Sequence, residues 1–192
     1  MLKTVLGTIG LISALACEAA PSDVANAFVE ATRTGDLATL ATVSVVGWPN
    51  ERVRASDIRA FWVTRVIASE NEPFELDEHH QRLNAARDAR DARLQEFGEG
   101  EDAELERIQS RVERLRVQIE REREEARKSV ETWAPIDGLQ GAVETTQVDV
   151  IVRSPSGDYH YTVTLKRYRL ASSPDASPIA SRWIVTAIEP VG

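Results

Sequence analysis

The sequence predicts an α+β fold, with N-terminal helices packed on a C-terminal antiparallel sheet and a long helical hairpin inserted between them. Three observations carry that expectation. Apolar residues recur at helical spacing from Val24 to Ala31. A proline-free stretch crowded with charges of both signs, residues 77–132, holds an apolar seam. Apolar residues then alternate from Val148 to Val152 and from Tyr159 to Leu165. Segments 22–76 and 133–192 therefore read as one α+β core, and 77–132 as an insertion.

The chain opens on a different kind of segment. Lys3 precedes a mostly apolar run, Val5 to Ala16, that ends in Ala14-Leu15-Ala16-Cys17. A short positive start, a hydrophobic middle and a small-residue end make an export signal. The run is shorter than the roughly 20 apolar residues that a membrane-spanning helix takes. Residues 1–16 read as a signal peptide and 17–21 as an anchor or linker. Cys17 is the only cysteine. Its setting resembles a bacterial lipobox, and the resemblance implies that Cys17 is lipidated and becomes the mature N-terminus. Ala14 departs from the pattern, which favours leucine there. Glu18 is not the aspartate that holds such lipoproteins at the inner membrane, so the resemblance implies the periplasmic face of the outer membrane. The alternative is ordinary cleavage after Ala16, giving a secreted or soluble periplasmic protein. Its free thiol would have no partner within the chain.

Composition narrows the function classes. A hydrophobic content of 42% suits one globular core, and a charged fraction of 28% is ordinary. The net charge of −8 disfavours nucleic acid as a partner, because phosphate binding needs a concentrated positive surface. Lysine occurs only at Lys3, Lys128 and Lys166, and arginine supplies the remaining positive charge. This bias reads as base composition of the gene rather than phosphate recognition. With one cysteine, no internal disulfide forms, and stability must come from packing.

Residues 22–34 read as the first helix. Ser22 is the expected N-cap, Asp23 sits at the positive end of the helix dipole, and Val24, Ala27, Phe28 and Ala31 make the apolar face. Gly35 ends it. Asp36 caps a second short helix carrying Leu37, Leu40 and Ala41. Trp48-Pro49-Asn50 marks a turn. Ser56 or Asp57 starts a third segment with Ile58, Phe61, Trp62, Arg65 and Val66 at helical spacing; Val63 and Ile67 thicken its apolar side and leave a strand open. Pro73 ends that segment.

In the insertion, Gly98 and Gly100 divide two helical runs. The second carries Leu105, Ile108, Val112, Leu115 and Ile119, spaced three and four apart as in a coiled-coil seam. Glu122 falls where the next apolar residue is due, while Ala126, Val130 and Trp133 stay near the stripe. The first run carries Leu83, Ala86, Leu94 and Phe97, with Arg90 between them, and a smaller face of Ala85, Ala89 and Ala92. Two helices joined by a short glycine turn lie antiparallel. Sixteen acidic and twelve basic residues lie between Asp77 and Glu131. This nearly balanced mixture suits helix packing better than a membrane surface, which favours a basic face.

After Ala134-Pro135 the pattern turns to strands. Val148, Val150 and Val152 alternate, Pro155-Ser156-Gly157-Asp158 turns the chain, and Tyr159, Tyr161, Val163 and Leu165 alternate on the return. A loop, 171–181, leads to a closing strand from Arg182 to Ile188. Successive strands with short loops form an antiparallel meander.

Three pieces carry a family resemblance: the helix Val24-Ala25-Asn26-Ala27-Phe28-Val29-Glu30-Ala31 running into Thr34-Gly35-Asp36-Leu37, the hairpin turn Ser156-Gly157-Asp158, and the closing strand Arg182-Trp183-Ile184-Val185. Together they resemble the nuclear-transport-factor-like cone, also called SnoaL-like or cystatin-like, over residues 22–76 and 140–190. The charged hairpin departs from that pattern as an insertion. The fold hosts enzymes, ligand binders and assembly modules, so the resemblance does not choose among them.

Candidate chemistry is sparse. His79 and His80 follow Asp77 and Glu78, but neighbours on a helix diverge by about 100°, so the pair reads as a solvated helix start rather than a metal site. His160 alternates out of phase with Tyr159 and Tyr161; with Asp149 it would make an acid–base pair if its face lined a cone interior. Ser154, Ser156 and Ser172 lie in turn-like sequence without a nucleophile elbow. No glycine-rich phosphate loop occurs. Phe28, Phe61, Trp62, Tyr161 and Trp183 read as core. The expectation is a non-enzymatic envelope protein without a cofactor, contacting the membrane through its lipid alone. Its hairpin would offer the seam Leu105, Ile108, Val112, Leu115 and Ile119 to a protein partner or a second copy. The alternative is a ligand-binding or enzymatic cone with a pocket near Asp149, His160 and Tyr161.

Overall fold

The computed structural model describes residues 19–97, 102–130 and 135–192. The export signal, Cys17, the glycine turn and Trp133 lie outside the described residues. The fold is α+β. Helices α1 (Pro21–Thr34) and α2 (Leu37–Val43) precede strand β1 (Ala60–Pro73). Helices α3 (Leu76–Phe97) and α4 (Ala103–Ser129) follow, then strands β2 (Gln140–Ser154), β3 (Gly157–Ala171) and β4 (Ile184–Pro190). The sheet order is β1-β2-β3-β4, every neighbour antiparallel.

Local chemistry sets the helix ends. Pro21 occupies the first turn of α1, and the Asp23 carboxylate accepts the Ala20 N–H at 3.3 Å. The cap is therefore Ala20, and Ser22 lies inside the helix, because proline fits the first helical position. Gly35 adopts φ 72°, a left-handed conformation that glycine takes without strain. Asp36 caps α2 as expected, accepting the N–H groups of Ala38 and Thr39 at 3.1 Å. Its carboxyl is held below the ordinary range by the Thr39 hydroxyl and then by these amides.

The segment with helical spacing around Phe61 is strand β1. Two bulges explain the false period. The register with β2 slips between Val63 and Arg65 and again between Val66 and Ala68. Each extra residue displaces the apolar positions from strict alternation, and the displaced set imitates a period near four. Phe61 and Val63 pack toward the core. Trp62 is 43% exposed rather than core, with the Arg153 guanidinium 4.8 Å over its ring. As an edge strand β1 presents an unpaired ladder, which the bulges, Glu70, Glu72 and Pro73 defend.

The β2–β3 ladder runs without interruption from Gln140↔Ala171 to Ser154↔Gly157. Its two ends are covered on opposite faces. Val148, Val150, Val152, Tyr161, Val163 and Leu165 pack with Val24, Phe28 and Val29 of α1. Further along, Val143 opposes Tyr168 and Gly141 opposes Leu170. Tyr168 and Leu170 pack instead with Leu76, Ile119, Ala126, Val130 and Ile136. Positions 143 and 148 differ by an odd number, so their side chains leave opposite faces of one strand. Gly141 is required where these strands meet: at φ 153° an added Cβ would collide with the Arg169 carbonyl.

Helices α3 and α4 form the expected antiparallel hairpin. His79, early in α3, meets Glu122, late in α4, whereas Arg93 meets Asp102 at the other end. At about 1.5 Å per residue the helices are roughly 33 and 40 Å long. The hydrogen bonds described for residues 83–96 and 102–117 stay within the hairpin. At the root the pattern changes. Ser129 donates to the Arg182 carbonyl at 2.7 Å, Arg123 pairs with Asp137 at 2.8 Å, and Lys128 reaches the Ser44 carbonyl. The hairpin is thus an arm held at one end.

Candidate functional site at the root of the arm

Glu122 interrupts the seam of α4 at a position where an apolar residue would face α3. In the structure that position faces His79, whose Nδ1 lies 2.9 Å from Glu122 Oε2. His79 is buried, which corrects its reading as a solvated helix start. A carboxylate only accepts, so Nδ1 carries the hydrogen, and the ring's Nε2 accepts from the Gln118 amide at 3.1 Å. A neutral imidazole satisfies both contacts. Glu75 stands 3.9 Å from Nε2. His80, one position on and about 100° around the helix, is half-buried and accepts from Arg123 at 3.1 Å. The two rings therefore serve different partners.

One helical turn beyond Glu122, Glu125 is 2% exposed. Strand β3 supplies its partners. Tyr168 donates its phenolic O–H to Glu125 Oε2 at 2.6 Å, and Lys166 Nζ lies 2.9 Å from the same oxygen. Burial first, and then the charge of Glu125, push the Tyr168 phenol far upward, so it stays protonated. Ser129 completes the join by accepting the Tyr168 backbone N–H at 3.0 Å. Beside these groups lies a cleft of about 300 Å³, lined by Glu72, Glu75, His79, Gln118, Glu122 and Lys166. Every buried charge here has a partner, so the chemistry of the cluster is orientation: it fixes two helices against one strand. Among the described residues, no group of three or more His, Cys, Asp or Glu is arranged to hold a metal ion.

The residues singled out from sequence are distributed differently. Tyr161 is buried on the covered face, 4.8 Å from the Trp48 ring centroid. Asp149 and His160 leave the opposite, open face: Asp149 pairs with Arg65 at 3.0 Å, and His160 is exposed opposite Ile151. The fold does not bring the three together. The seam is brought together, but inside the hairpin: Leu105, Val112 and Ile119 are buried and Ile108 and Leu115 half-buried, with Val112, Leu115 and Ile119 in one cluster with Leu83 and Ala86. Ala85, Ala89 and Ala92 face solvent.

Sequence reasoning missed Glu125, Lys166 and Tyr168. The one available signal was Glu122, a charge in an apolar register; Glu125 lies in a run of charge that gives no reason to single it out. Comparison with protein-family models, with curated proteins and with solved structures finds no significant match to this chain.

Proposed function

We propose that this protein is an exported, lipid-anchored component of the cell envelope. It acts without catalysis, presenting the α3–α4 arm to a protein partner or a second copy. The single observation behind this reading is the arm itself: two helices of 22 and 27 residues join the core through the root. A free-standing helical pair would have little reason to be oriented so firmly unless its direction mattered. The seam is consumed within the arm, so the surface on offer is the outer one, where Val117 is 60% exposed among Glu113, Arg114 and Arg121. Anchoring at Cys17 rests on the signal-like run before it and places the contact at the membrane.

The test is copurification from envelope extracts of the full protein and of a shortened-arm version. Residues 89–108 would be replaced by a short glycine turn and Val117→Asp added, which removes the distal arm and the exposed apolar position of the outer surface while keeping the whole root. Partners lost only from the shortened version support the reading. Identical partners with both versions overturn it and move attention to the core.

A further inference from the structure

A second cavity, about 430 Å³, opens between α1 and α2. Its mainly apolar lining includes Ala19, Val24, Ala27, Ala38, Val43 and Trp183. Ala27 and Ala38 are small where larger apolar side chains would close the gap, and no described side chain fills it. The volume lies within the range of ~300–1,000 Å³ typical of small-molecule sites. The polar groups at its rim are Asp23 and Arg182, with the hydroxyls of Thr39 and Thr42.

The position of the groove says what belongs in it. Ala19, on its wall, stands two positions after Cys17. At ~3.5 Å per extended residue, a group on Cys17 starts within reach of the opening. We infer that in water the acyl chain carried by Cys17 lies in this groove. The inference rests on the reading that Cys17 is lipidated. A bilayer offers an apolar phase on all sides of the chain, whereas the groove is open on one side, so the chain leaves the groove when a membrane is present. The groove therefore competes with the membrane for one acyl chain and weakens apparent partitioning by the fraction of time the chain is sheltered.

Intact-mass measurement on protein extracted from envelopes first establishes whether Cys17 carries lipid. The lipidated parent and an Ala27→Leu/Ala38→Leu variant are then partitioned between buffer and phosphatidylethanolamine–phosphatidylglycerol vesicles. The filled groove is expected to tighten partitioning about tenfold. In parallel, Cys17→Ala protein is titrated with dibrominated stearic acid. Saturable quenching of tryptophan fluorescence is expected, lost in Trp183→Phe and in the filled variant. Thr42→Leu is an independent filling variant should the double one fold poorly. Lipid on Cys17 with partitioning and quenching both indifferent to filling overturns the inference and leaves lipidation standing. Absence of lipid overturns both; saturable quenching would then assign the groove to free fatty acid.

Discussion

Tyr168 on β3 and Glu125 on α4 share a hydrogen bond of 2.6 Å in which neither side chain meets solvent. They stand 43 positions apart in the chain. The bond joins the arm to the sheet at the root, beside the Ser129 and Lys166 contacts. A purely apolar contact tolerates sliding, because dispersion and the hydrophobic effect are weakly directional. A buried carboxylate with two donors accepts few geometries, since moving it away from either leaves a costly orphan.

Tyr168→Phe removes one of those donors and leaves Lys166 as the other. The expected loss is about 1–2 kcal/mol of unfolding free energy, read from urea melts. A double-mutant cycle with Glu125→Gln should show coupling of at least ~0.5 kcal/mol; strict additivity would mean that the contact is incidental.

His79 and Glu122 form a partly buried pair inside an otherwise apolar seam. Changing either alone strands the other, so His79→Leu and Glu122→Leu should each lower stability, by about 1–2 kcal/mol. The double variant restores the heptad pattern and is expected to match or exceed the parent. Denaturant melts of the four proteins decide the matter, and a double variant worse than both singles would contradict it.

Gly141→Ala places a methyl group against the Arg169 carbonyl and asks alanine for φ 153°. The backbone must shift at the end of the β2–β3 ladder, beside the Gln140↔Ala171 pair. The expected cost is above ~3 kcal/mol, enough to lower soluble yield. Gly157→Ala, also at positive φ but with open space around it, should cost less.

Acid should loosen the root. The Arg123 guanidinium, before other influences, holds the Asp137 carboxyl below its ordinary value. A carboxyl depressed in the folded state contributes stability that is complete above the unfolded value, near ~3.9, and lost as pH falls through the lower folded value. Asp102, held down by Arg93, and Asp158, held down by Arg153, act in the same direction. Melting temperature should therefore fall modestly as pH drops below about 4, and Asp137→Asn should flatten that part of the curve. An unchanged slope in the variant would remove Asp137 from the account.

Much of this architecture was legible in the residues. The α1 face, the Gly35 stop, the Asp36 cap, the seam and the β2–β3 alternation are local patterns, and each element formed where its pattern stood. β1 was harder to read because its two bulges break alternation, and bulges depend on the partner strand. The root of the arm was harder still. Tyr168 and Leu170 leave the opposite face from Val163 and Leu165, and nothing along β3 announces that the covering layer changes sides. Lys166 and Tyr168 look like ordinary strand residues until α4 is placed above them.

The crossing of cover from one face to the other has a mechanical consequence. β1 ends where α3 begins, and β2 starts shortly after α4 ends, so a pull on the arm's tip is delivered to neighbouring ends of two strands. The chain then carries the pull lengthwise through β1, and the share that enters β2 returns to β1 through their antiparallel ladder, loading those hydrogen bonds together in shear instead of peeling them one by one. Tugged from the far end, the arm would pass tension into the sheet and along β1 toward α1.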